Sequence, residues 1–337
     1  LFEYGVSNSI KEIQEGAKSR YYPVKLDEVI SIVLSDHSKK YAIVGLPCMI
    51  KSIRLMMFDD QRLRNSIKFC IGIVCGHLKT AGYAELLAWQ QGSSPEILET
   101  VDFRRKLKFR SASSYGFLSK NKDGVRKVTP MESLYGGDWG QGQLKLSACD
   151  YCDDVFAETA DIVIGDAWLP KYKKDSRGTN IIVSRNKIIS KLIEDGRTKG
   201  LLKLDNITDE DAFQSQSSGI KHRTEGLSHR LKIKSSLGLS APMKRIHAKE
   251  IPISTNRADI YEMRELIRDE TVKSFKLAKQ KNDLKLYINH ITPLIFSYNS
   301  LQFVPRKLQI YRNARKIIVK FIRKCTRTYN KEIYPEK

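Results

Sequence analysis

The stretch YAIVGLPCMIKSIR, residues 41–54, decides the reading of the fold. Its first four residues form a short apolar run, Gly45 and Pro47 close it, and the apolar positions of MIKSIRLMM (49–57) then recur at helical spacing. Strand, tight turn and helix follow one another, with Cys48 at the helix N-terminus. IKFCIGIVCGH (67–77) repeats the pattern as a buried strand ending near Cys75, before a helix in TAGYAELLAWQQG (80–92). Two successive strand-turn-helix units predict an open α/β sheet, in which function gathers at the C-terminal ends of strands.

Outward from this core the pattern changes. From Val101 to Leu146, the segments VDFRRK, FRSASSYGFLSK and VRKVTP, with the turn NKDG, predict an antiparallel insertion. ADIVIGDAW (160–168) and NIIVSRN (180–186) then restore α/β character, the second leading into a helix from Lys187 to Asp195. Beyond about Arg230 the strands stop, and charged helical segments separated by Pro252, Pro293 and Pro305 take over. In the last of these, Ile310, Ala314, Ile317, Ile318, Phe321, Ile322 and Cys325 share one face, and Arg312, Arg315, Lys316, Lys320, Arg323 and Lys324 crowd the remainder. The expected fold class is α/β with α+β elements: a mixed sheet core, an antiparallel insertion and a helical C-terminal tail. The expected domains are 1–230, carrying the chemistry, and 231–337, a basic helical region. The opening LFEYGVSNSIKEI reads as the middle of a domain, so a preceding segment is expected.

A chain of 337 residues that is 41% hydrophobic can fill a real core, which sets disorder aside as the default. No apolar run approaches the roughly 18–20 residues of a spanning helix and no signal peptide leads the chain, so a soluble, cytoplasmic protein is expected. Six cysteines are too few for a secreted disulfide scaffold of this length and favour metal ligation in a reducing compartment. The net charge of +21 calls for an anionic partner, whether nucleic acid, acidic protein, membrane face or phosphorylated cofactor. From Leu301 onward eleven Lys or Arg face only Glu332 and Glu336. That basic helix suggests docking on an acidic partner or on the inner face of the membrane, against the plainer expectation that its apolar face packs on the domain.

Cys149-Asp150-Tyr151-Cys152 is a C-x-x-C, whose spacing lets two sulfurs face one centre; alone it fits zinc, a redox dithiol or an iron-sulfur cluster. Cys48 and Cys75 stand where free amides and the helix dipole favour a thiolate. With the C-x-x-C they make four, the number a cubane takes. Cys70, mid-strand, reads as a small buried hydrophobe, and Cys325 lies on the apolar face of the last helix. His77 is a candidate proton donor or hydrogen-bond partner for a cluster sulfur, although an ordinary loop histidine is the commoner case. His222, between Lys221 and Arg223, reads either as a contact for a phosphate or acidic substrate or as part of a solvated charged surface.

KSRYYPV, YAIVGLPCMIKSIR, IGIVCGH, CDYCDD and ETADIVIGDAW, in that order, resemble the coenzyme F420 hydrogenase/dehydrogenase beta-subunit family over about Lys18 to Arg230. The resemblance extends to the branch found with polysaccharide-synthesis functions. It implies a [4Fe-4S] cluster held by Cys48, Cys75, Cys149 and Cys152, and a flavin, usually FAD, beside it. Ser19, Arg20 and Tyr21 are similar to the family's flavin-side segment, Gly45 and Pro47 adjoin the cluster-side turn, and Asp166 sits at a strand end where a carboxylate would accept a hydrogen bond from the flavin. The alternative for each is ordinary turn or core chemistry.

The implied function is an iron-sulfur flavoprotein oxidoreductase that converts between one-electron and two-electron transfer. Its donor would be ferredoxin-like or another electron carrier, and its substrate organic, a polysaccharide precursor or coenzyme F420. Two other readings compete: a zinc-stabilised basic protein binding nucleic acid or an acidic partner, and a thiol enzyme with Cys48 as nucleophile. Specific nucleic-acid binding is not expected from the motif order.

Overall fold

A computed structural model describes residues 1–248 and 252–303. The expected basic helix with Cys325, and Pro305 before it, lie outside the described residues. The chain divides into two compact units: the first comprises Leu1–Gly137 with Lys145–Ile251, and the second Asp138–Leu144 with Pro252–Lys337.

The first unit opens with α1 (Ile10–Glu15) and α2 (Asp27–Ser35), then β1 (Tyr41–Gly45), α3 (Pro47–Asp59), α4 (Gln61–Ser66), β2 (Ile67–Ile73) and α5 (Gly82–Trp89). The predicted strand-turn-helix is there, with Pro47 supplying a backbone already bent for the first turn of α3 and Ile50, Ile53 and Met57 buried along one side of it. Asp60 ends α3 and starts α4, its carboxylate accepting from Arg62 N at 2.8 Å. The insertion follows as β3 (Leu98–Arg105), β4 (Gly116–Asn121) and β5 (Arg126–Pro130), antiparallel throughout as expected. The chain returns through β6 (Ile162–Asp166), α6 (Pro170–Lys173), β7 (Asn180–Ser184) and α7 (Lys187–Thr198), and closes with α8 (Asp209–Ser215), α9 (Ser217–Arg223) and α10 (Glu225–Ser236).

The main sheet has the order β1-β2-β6-β7; β1, β2 and β6 run parallel and β7 antiparallel, which makes it the expected mixed sheet. Ile43, Ile50, Ile53, Leu63, Ile67, Cys70 and Val163 fill the layer between the sheet and its helices. Cys70 is 0% exposed, the small hydrophobe its mid-strand position predicts.

One crossing governs how the pieces fit. The segment from Val155 to Asp161 passes over β2 before entering β6, with Cys75 N donating to Val155 O and Asp161 N to Cys70 O. A Cβ at Gly72 would fall well inside contact distance of the Ala157 and Ala160 Cβ atoms. Asp161 anchors the far end: its carboxylate accepts from Cys70 N at 2.7 Å, Arg54 Nη2 at 2.8 Å and Asn186 Nδ2 at 3.2 Å.

In the second unit, α11 (Thr255–Lys281) and α12 (Leu284–Phe303) form a helical hairpin. Ser254 caps α11 at Arg257 N, and Asn282, at φ +48°, turns the chain out of it. The expectation that Pro293 separates helices is corrected, for it lies inside α12. Burial of Tyr287, Ile291, Leu294 and Tyr298 on both sides of it outweighs the hydrogen bond the proline cannot donate. Inside the hairpin Glu270 accepts from His290 Nε2 at 2.9 Å and from Lys273 Nζ at 3.2 Å. Burial alone would raise the Glu270 carboxyl, but His290 and Lys273 outweigh it and hold it below its usual 4.5.

Two outcomes are expected. Gly72→Ala forces the Ala157 backbone away from β2 and lowers stability by about 1–3 kcal/mol, read as a drop in Tm beside an unchanged Gly5→Ala control, whose Cβ meets nothing. Glu270, with its folded-state value depressed, contributes stability that is full above 4.5 and lost as pH falls through and below that value. Hydrogen exchange at α11 amides, corrected for intrinsic rates, should therefore show protection falling on acidification in the wild type and much less change in Glu270→Gln.

Candidate functional site

Because β1 and β2 are parallel, with Gly45 opposite Gly72, their C-terminal ends finish side by side. Each end carries a cysteine just beyond it: Cys48 in the first turn of α3, and Cys75 two residues after β2. The C-x-x-C arrives by a different route. Lys145 bridges to Lys79, Leu146 N donates to Leu78 O, and the 3-10 turn Ser147–Tyr151 then lays Cys149 and Cys152 alongside the loop after β2.

The sulfurs are near neighbours. Burial pushes the Cys48 thiol up, and the charges of Cys152 and Cys149 push it further. The Cys75 thiol is pushed up to about 12, first by burial and then by Cys149, Cys152 and Cys48, against the pull of Arg223. Burial also raises Cys149, although Leu78 N, donating to its Sγ at 3.3 Å, and the Lys145 charge work the other way. At Cys48 the backbone donors of Met49 and Cys48 itself pull the thiol down, as its place at the start of a helix leads one to expect, while burial and the neighbouring sulfurs outweigh them. Among the described residues no three His, Cys, Asp or Glu side chains converge closely enough to hold a single metal ion.

Around the sulfurs stands a buried polar shell that the sequence did not announce. Asp150, inside the C-x-x-C, is paired with Lys145, and both are buried. Arg230 of α10 donates to Asp150 O at 3.0 Å and His222 O at 3.1 Å. His222 and Arg223 are buried while Lys221 is exposed, so the solvated-surface reading of that stretch holds for Lys221 alone. Arg223 donates from Nη2 to Gly76 O at 2.6 Å and from Nε to Cys152 Sγ at 3.5 Å. His77 is buried as well, and burial with the charges of Lys79 and Lys145 holds its imidazole well below the usual value.

The residues considered for the flavin fall into two places. Ser19, Tyr21 and Asp166 gather around Arg104, which sequence reasoning missed. Arg104 Nη1 donates to Asp166 Oδ2 at 2.5 Å, and its guanidinium lies over Tyr115 at 4.9 Å and Trp168 at 5.4 Å. Burial raises the Tyr21 phenol, with Tyr115 adding to the rise and Arg104 and the Ser19 hydroxyl opposing it; its ring meets Phe103 edge-on at 5.4 Å. Arg20 sits 5.1 Å over the Phe2 ring. Gly45 and Pro47 stay beside Cys48 instead; a Cβ on Gly45 would meet Met49 Cβ and Ile50 Cδ1 at 3.3 Å, so its open side is filled by α3. The two groups are joined by α9: Gln216, just before it, donates to Asp166 O at 2.7 Å, and Arg223 at its end reaches Cys152. Seven helical residues span about 10 Å.

The accessibility of the thiols differs enough to be read chemically. In metal-free protein, iodoacetamide at mildly alkaline pH should label Cys48, the exposed one, ahead of Cys75, Cys149 and Cys152, and leave Cys70 protected. Peptide mass mapping reads the order, and Cys70 reacting as fast as Cys48 would contradict the packing.

Comparison with known proteins agrees with the motif order. No curated protein matches the chain. Among solved structures, one from the F420-reducing [NiFe] hydrogenase complex of Methanosarcina barkeri, determined as a xenon derivative, is 13% identical with a TM-score of 0.49, covering 68% of this chain and 75% of its own. Residues 38–210, more than half of the chain, match the family described as the C-terminal part of the coenzyme F420 hydrogenase/dehydrogenase beta subunit. The chain belongs to the coenzyme F420 hydrogenase/dehydrogenase beta-subunit family, and its class of activity is that of an oxidoreductase.

Proposed function

We propose that this chain is an iron-sulfur flavoprotein that couples one-electron transfer at a [4Fe-4S] cluster, held by Cys48, Cys75, Cys149 and Cys152, to two-electron chemistry on an organic substrate. One observation carries the reading: four cysteines from three separate segments are close enough for their sulfur charges to act on one another. A cubane gives each thiolate its own iron, so its ligands need not meet at one atom. The donor set fits such a group. Leu78 N–H is aimed at the Cys149 sulfur, and the buried Arg223 guanidinium at Cys152, the kind of hydrogen bonding and charge that tunes a cluster. Ligation needs thiolates, so loading releases the protons that burial and mutual repulsion keep on Cys48, Cys75 and Cys149.

The chain's own residues then have distinct tasks. The loop from Cys75 to Leu78 and the C-x-x-C turn fix the sulfurs, of which Cys75, Cys149 and Cys152 are half-buried and Cys48 is exposed. Ser19, Arg20, Tyr21 and Asp166, with Arg104, Tyr115 and Trp168, offer aromatic rings, a guanidinium and a carboxylate to a flavin such as FAD. A flavin bound there would supply the exchange between paired and single electrons. Cys48, the exposed cysteine, marks the side where a ferredoxin-like carrier or a partner protein would deliver electrons. Coenzyme F420 is the substrate class the family name suggests, with a polysaccharide precursor as the other organic substrate considered. Among the described residues no helix is long and apolar enough to cross a membrane.

Anaerobically prepared wild-type chain should be brown and hold about four iron atoms, with flavin released on denaturation. Cys149→Ser should lose most of the iron, the broad visible absorption and the redox activity together. Wild-type iron in that variant, or a colourless wild type with one zinc, overturns the reading; the zinc result supports the binding-protein alternative.

A further inference from the structure

Arg223 is the last residue of α9 and is 2% exposed. Two of its nitrogens are used: Nη2 holds the Gly76 carbonyl between Cys75 and His77, and Nε reaches the Cys152 sulfur. The third, Nη1, is buried and has no hydrogen-bond partner among the described residues. No carboxylate pairs with this guanidinium among the described residues either. Arg230, buried nearby, shows the contrast: it has two carbonyls, and the Asp150 carboxylate lies at 3.9 Å. Burying a cation without an anion is strongly destabilising, and what surrounds Arg223 in place of a carboxylate is sulfur. Cys152, Cys75 and Cys149 are the groups that, as thiolates, would stabilise its charge.

We propose that Arg223 is the resident counter-cation of the sulfur site, a positioning residue that ties the Cys75–Gly76 loop to Cys152 and raises the reduction potential of the cluster bound there. The inference rests on the cluster reading above. A thiolate-ligated cubane is negative when oxidised and gains one further negative charge on reduction. A fixed buried cation in contact with a ligand sulfur therefore favours the reduced form more than the oxidised one, because the attraction grows with the charge it faces. The same guanidinium links two loops that carry ligands and have no covalent reason to stay together.

The test uses the full chain, reconstituted anaerobically with iron and sulfide, as wild type, R223K and R223Q. Iron per chain, thermal stability and the midpoint from a spectroelectrochemical titration are measured. Loaded R223Q should show about a tenfold lower ratio of reduced to oxidised cluster at the wild-type midpoint, a shift of about 59 mV to lower potential for a one-electron couple. R223K, which keeps the charge, should titrate near the wild type. A purely structural role would lower Tm in both variants without moving either midpoint, and equal midpoints in loaded wild type and R223Q overturn the inference while leaving the cluster reading intact. If R223Q fails to fold or load, R223M, which also removes the charge, decides: a tenfold fall supports the inference and a wild-type midpoint overturns it. Wild-type chain that takes up no iron overturns the cluster reading itself, a distinct failure seen before any titration.

Discussion

The contact between the Val155–Asp161 segment and Gly72 is the constraint on which the site depends. Parallel β1 and β2 bring only two cysteines to one sheet end; the other two belong to a turn that precedes β6, at the opposite end of that strand. For the C-x-x-C to lie at the C-terminal ends of β1 and β2, the chain after it must travel back along the sheet before entering β6. That return is possible only where the sheet surface is flat, and Gly72 provides the flat place beneath Ala157 and Ala160. Asp161 and Arg185 fix the track, Arg185 through long hydrogen bonds to the carbonyls of Phe156, Ala157 and Ala160.

The site so assembled is electrostatically poised toward a ligand. Set beside each other, the Cys48, Cys75 and Cys149 thiols hold their protons more tightly than free cysteine does. Arg223 beside them is a buried cation, and the polar shell of Lys145, Asp150, His222 and Arg230 behind them is already internally paired. Neither half is at its best alone: thiolates would repel one another, and the guanidinium would lack an anion. A cluster that accepts four thiolates and shares their charge over iron and sulfide meets both demands at once.

Much of this arrangement was legible from residue patterns. The apolar runs at 41–44, 67–73 and 162–164 have the length and closure of buried strands, and Gly45-Leu46-Pro47 can only be a turn into a helix; strand, turn and helix stand where those residues put them. The antiparallel insertion was legible for the same reason, since its turn is written as Asn121-Lys122-Asp123-Gly124 and Gly124 takes φ +81°. What lay hidden were side chains whose partners are distant in sequence. Arg104 sits in a strand with Arg105 beside it, and nothing local says that one is buried against Asp166 while the other is exposed. Likewise His222 and Arg223 look like a charged surface because composition reports polarity and not burial. Pro293 misled for a related reason: its local veto on a helix was outweighed by the packing of residues on either side.

Two buried arginines of the first unit, Arg104 and Arg223, show how one residue type takes different parts. Arg104 is satisfied within the chain by a carboxylate and two aromatic faces, so its group is complete as a shaped, rigid wall. Arg223 is satisfied in part, by a carbonyl and a sulfur, and its remaining nitrogen points to nothing the described residues supply. A guanidinium beside a carboxylate has its field largely offset by that partner, whereas one without a carboxylate exerts its charge more fully on whatever enters. Helix α9, fixed to Asp166 through Gln216 at one end and to Cys152 through Arg223 at the other, sets these two environments about 10 Å apart. A change of charge at the sulfurs therefore acts first on the end of a helix whose beginning holds the strand end that carries Asp166.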